Sequence, residues 1–63
     1  MNKYKVVGGE AQGYAVVARS GGIEYDLIET KAMAVAIRRV LNAGIGPEWD
    51  AVERELQRRG VIS

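Results

Sequence analysis

Apolar residues alternate with polar ones in the first half of the chain and recur at three- and four-residue spacing in the second. Residues 3–8 (KYKVVG) and 14–19 (YAVVAR) are short, rich in valine and tyrosine, and bounded by glycine, as strands are. The intervening GEAQG (9–13) suits a five-residue hairpin loop. The stretch 16–29 (VVARSGGIEYDLIE) reads as two strands hinged on Gly21-Gly22. Two successive glycines can both take the positive φ that a two-residue primed turn demands.

These loops set a register. The first places Val6 opposite Val16 and Tyr4 opposite Ala18. A two-residue turn at 21–22 places Arg19 opposite Glu24, Ala18 opposite Tyr25 and Val16 opposite Leu27. Opposed residues share a face because strand side chains alternate. One face should therefore gather Tyr4, Val6, Tyr14, Val16, Ala18, Ile23, Tyr25 and Leu27. The other reads as three rows: Lys3–Arg19–Glu24, Lys5–Val17–Asp26 and Val7–Ala15–Ile28. The first two rows have charged ends, and the third is wholly apolar.

The period then changes. In KAMAVAIRRVLNA (31–43), Met33, Ala36, Ile37, Val40 and Leu41 form one helical stripe, with Thr30 as N-cap and Gly44 as stop. A second helix is expected from Pro47, a favoured first-turn residue, to about Arg59. Gly60 should end it, with Val61 folding back. Acidic residues at its start and Arg58-Arg59 at its end complement the helix dipole, and Asp50–Arg54 and Glu55–Arg59 have the favourable i,i+4 order. The expected fold is α+β: a three-stranded antiparallel meander followed by two α-helices, the first packed on the tyrosine-bearing sheet face. Trp49, Val52 and Leu56 form a narrower stripe on the second helix, able to pack at the edge of that core or on another chain. The short connection NAGIG (42–46) favours a second helix lying beside the first, which leaves the opposite sheet face open.

Length and composition narrow the function. Sixty-three residues allow one small domain, residues 1–63, and such a domain is marginal alone. The chain has no cysteine, so disulfides and thiolate zinc sites are excluded, and no histidine, the commonest neutral-pH base. Neither Ser20 nor Ser63 has an activating partner, and GGEAQG (8–13) lacks the Lys-Ser/Thr ending of a phosphate loop. Glu24 and Asp26 have the spacing of an acid–base or metal pair, but cross-strand pairing with Arg19, Lys3 and Lys5 explains them more simply. No catalytic residue, metal site or cofactor is expected. The start MNKYKVVGG has no signal-peptide core, and the longest wholly apolar run, AMAVAI (32–37), is too short for a bilayer. A cytoplasmic protein without membrane association is the expectation.

Two function classes remain. The first is a non-catalytic protein-interaction module, acting as a homodimer or as a small regulator or inhibitor bound to a larger protein. Its contact residues would be Val7, Ala15, Val17 and Ile28 on the open sheet face and Trp49, Val52 and Leu56 on the second helix. The alternative is a nucleic-acid-binding regulator using Arg38, Arg39, Arg58 and Arg59. A net charge of +1 gives that alternative little general electrostatic support.

Overall fold

The structure, a computed structural model, describes residues 3–63 of the chain. Three strands, β1 (Tyr4–Gly9), β2 (Gly13–Ala18) and β3 (Ile23–Ile28), are followed by helices α1 (Lys31–Asn42) and α2 (Trp49–Arg58). The strands form an antiparallel meander in the order β1-β2-β3. The fold is α+β, as the patterning predicts.

The first hairpin has the expected register, with Val6 facing Val16 and Tyr4 facing Ala18. Pairing continues to Gly9 and Gly13, so the loop tightens to Glu10, Ala11 and Gln12. Gly8 carries a φ of +103°, and a Cβ there would fall 2.3 Å from the Gly13 carbonyl oxygen. Only glycine fits so close an approach.

The second hairpin departs from the expected register. The Gly21 amide donates to the Ala18 carbonyl (2.9 Å) and the Ala18 amide to the Gly22 carbonyl (2.7 Å), enclosing Arg19, Ser20 and Gly21. Gly21 alone of the two glycines has positive φ, +105°. This is a three-residue loop with glycine at its left-handed position, not a two-residue turn. Val17 consequently faces Ile23, Val16 faces Tyr25, and Tyr14 faces Ile28, with an irregularity in each interval. β3 thus accommodates two extra residues against β2, as bulges do. Leu27 sits in the second irregularity at φ +55°, its amide held by its neighbour's Asp26 Oδ1 at 2.8 Å. Three assignments change. Ile28 belongs to the core face, while Ile23 and Leu27 are exposed.

Thr30 caps α1 as expected, its Oγ1 accepting from the Met33 amide at 3.2 Å. At the other end the Gly44 amide donates to Leu41 O (3.0 Å) and the Ile45 amide to Val40 O (3.3 Å), a Schellman closure. α2 ends in the same way, through Gly60 to Gln57 O (3.0 Å) and Val61 to Leu56 O (2.9 Å). Its start is later than predicted: Glu48 is the N-cap, and Pro47 precedes the helix instead of opening it. Among the described residues, ion pairs form at Glu55, which holds both Arg58 and Arg59, and not between Asp50 and Arg54.

The core lies between one face of the sheet and the two helices. Val16 and Ile28 from the sheet meet Ala34, Ile37, Val40 and Leu41 of α1 and Val52 and Leu56 of α2. Tyr4, Val6, Tyr14 and Tyr25 pack around this centre, as does Ile62 from the C-terminal tail. α1 lies against all three strands, whereas α2 packs on α1. Neither helix covers the second sheet face.

Candidate functional site

The open face is built by alternation from the strands just described. Lys5 lies opposite Val17, and Val7 opposite Ala15. On the other side, Val17 faces Ile23. Val7 is 38% exposed and Ile23 64% exposed, while Val17 is half-buried. Ala15, at 9%, is shielded although it takes no part in the main core. Leu27, 80% exposed, adds apolar surface beside the bulged end of β3. The structure therefore brings together three of the sheet residues expected for interaction, Val7, Ala15 and Val17, and adds Ile23. It removes Ile28, because the bulges return that residue to the core side.

Ile23 was hidden by the turn. Its signal was the Arg19-Ser20-Gly21 sequence, which suits a three-residue loop ending in a left-handed glycine. The expected ion pairs also fail to appear: among the described residues, neither Glu24 nor Asp26 joins a salt bridge. Asp26 is instead engaged with the backbone of the bulge.

The helical stripe divides. Val52 and Leu56 are completely buried and serve the monomer's own core. They are packing residues of the monomer and not the contact residues that their stripe suggests. Trp49 remains 43% exposed at the first position of α2 and meets the Tyr25 ring edge-on, with centroids 5.6 Å apart. The Tyr25 hydroxyl donates to the Pro47 carbonyl, which ties the sheet to the α2 entry. Burial, reinforced by nearby Glu24, Glu48 and Tyr4, raises the Tyr25 pKa above the ordinary value. Trp49 and the open sheet face belong to separate regions, so the structure does not join them into one surface.

The four arginines are likewise divided. Arg38 is half-buried, with its Nε lacking a hydrogen-bond partner. Arg39 and Arg59 line an open groove of about 230 Å³ together with Ala36 and Val61. Arg58 and Arg59 both donate to Glu55, whose carboxyl is held at about 2 by those hydrogen bonds. The anionic partner offsets part of the charge that phosphate binding would use. A second cavity of about 180 Å³ adjoins Lys3, Tyr4 and Asn42. Asn42 Oδ1 already accepts from the Lys3 and Tyr4 amides, at 2.9 and 3.0 Å.

Among the described residues, no helix is long and apolar enough to cross a membrane. No family model, curated protein or solved structure matches the chain. The open sheet face is the candidate surface on its own physical evidence.

Proposed function

We propose that the chain is a non-catalytic protein-interaction module that acts through the open face of its sheet. It would work by pairing with a second copy or by binding a larger protein as a small regulator or inhibitor. The observation that supports this reading is the uncovered apolar group of Val7, Val17 and Ile23, bordered by Lys5 and left free by both helices. Contiguous exposed apolar residues commonly mark interaction sites. Burial against a partner would remove them from water at about 25 cal/mol per Å².

Val17→Lys tests the proposal. Lysine introduced there can direct its amine to solvent in the free protein, so the fold should survive with a similar melting temperature. In a complex the same amine would be buried without a counter-charge, and binding should fail. Affinity capture from the native cell should recover a protein with wild type and lose it with the variant. Recovery of the same protein by both would refute the role of this face.

The shared groove between Arg39 and Arg59 supports a second reading, nucleic-acid binding. Each phosphate contact would add salt-sensitive affinity. The proposed function instead predicts no specific binding at physiological salt. Tight, sequence-specific binding, lost when Arg38, Arg39, Arg58 and Arg59 are all replaced by glutamine, would make the second reading the better one.

A further inference from the structure

We infer that the open sheet face pairs with the same face of a second copy of this chain, the basic corner of each sheet lying over the acidic corner of the other. The inference rests on the reading of that face as the binding surface and names its occupant.

Charge placement carries the argument. Lys3 and Lys5 lie at the start of β1, and Arg19 stands at the same end of the sheet, its amide bonded to the Lys3 carbonyl at 2.9 Å. At the opposite end, Glu10 lies in the first loop, Asp26 lies in the second half of β3, and Glu29 follows that strand. All six side chains are exposed. Among the described residues, none of the six forms an ion pair within the chain. Between the two groups lie Val7, Val17 and Ile23. The surface is thus an apolar centre with a positive corner and a negative corner on a diagonal.

A partner of uniform charge would satisfy one corner and be repelled by the other. Nucleic acid, for example, would meet Glu10, Asp26 and Glu29. A second copy is different. A two-fold axis lying in the interface plane makes a surface meet itself, so each contact occurs twice. With the axis set across the charge diagonal, both corners find their complement and the apolar centres meet.

The size of the face sets the strength. Three strands about 4.8 Å apart and six residues at about 3.3 Å rise give a footprint of roughly 14 by 20 Å. That is smaller than the roughly 800 Å² per partner of a standard stable interface. The expected dimer is therefore weak and reversible. The doubly irregular β3 edge also resists the addition of another strand, favouring contact through the face over that edge.

Sedimentation of the intact chain should show a monomer–dimer equilibrium in the micromolar to millimolar range. Ile23→Lys, at a position already exposed in the monomer, should abolish the dimer without lowering the melting temperature. Lys5→Glu should weaken it by about tenfold or more through like-charge contact. Adding Glu29→Lys to Lys5→Glu should restore it. Lys5 and Glu29 lie at opposite edges of the sheet, so this rescue reports a contact between chains. A dimer indifferent to these substitutions uses another surface and overturns the inference. A wild type that remains monomeric throughout also overturns it. In that case, loss of captured protein with Val17→Lys would preserve the interaction-module reading, and unchanged capture would refute both.

Discussion

A methyl group added at Gly21 or Gly22 would meet no atom within 4 Å, yet the two glycines have different backbone requirements. Gly21 holds the left-handed position of the loop at φ +105°, whereas Gly22 lies outside that region. Gly21→Val should therefore lose about 1–3 kcal/mol by forcing a β-branched residue into a conformation it disfavours. Gly22→Ala should remain near wild type. Thermal melts of the pair check the assignment, and equal effects would contradict the observed loop. Leu27 shows the opposite case: a large side chain at φ +55° with no glycine to announce it. Nothing in the letters IEYDLI distinguishes a strand with two irregularities from a simple alternating one. That is why Leu27 and Ile28 exchange their expected environments.

The elements themselves were legible to different depths. The start of α1 and the ends of both helices could be read because Thr30, Gly44 and Gly60 act through local hydrogen bonds that depend on neighbouring residues, whereas the α2 start, with no side-chain cap bond at Glu48, could not. The β1–β2 register could be read because its loop has a glycine on either side and every later pair follows from it. β3 could not, since its position depends on the loop and both irregularities together. Asn42 was missed for another reason: its partners are the Lys3 and Tyr4 amides, 39 and 38 residues away in the sequence. No local spacing signals such a bond. Asn42→Ala should leave those amides without their side-chain acceptor and destabilise the fold by about 1 kcal/mol, the common net value of a hydrogen bond. Hydrogen exchange at Lys3 and Tyr4 should quicken, while protection within α2 changes little.

At the scale of the whole molecule, two helices share one side of a three-stranded sheet, and the principal extents are 29 × 25 × 17 Å. The sequence pointed to an uncovered second sheet face, but its membership depended on β3 and required correction. The helical layer gives the pH dependence. Arg58 and Arg59 hold Glu55 near 2, below its ordinary 4.5. A folded-state pKa lower than the unfolded one means that this contribution is present above about 4.5 and is lost as pH falls through about 2. Replacing Glu55 by glutamine should make the acid decline of stability shallower, with the two curves converging at the lowest pH. Melting temperatures measured across that interval provide the comparison.

The lone tryptophan of the chain stands where α2 begins and touches a β3 tyrosine. This contact gives the molecule a built-in optical probe. Energy absorbed by Tyr25 passes to Trp49 less efficiently as the two rings separate, and Trp49 emission moves to longer wavelength as water reaches its indole. Separation of α2 from the sheet would therefore be visible in the spectrum without a dye, and could be timed independently of the circular dichroism of the strands.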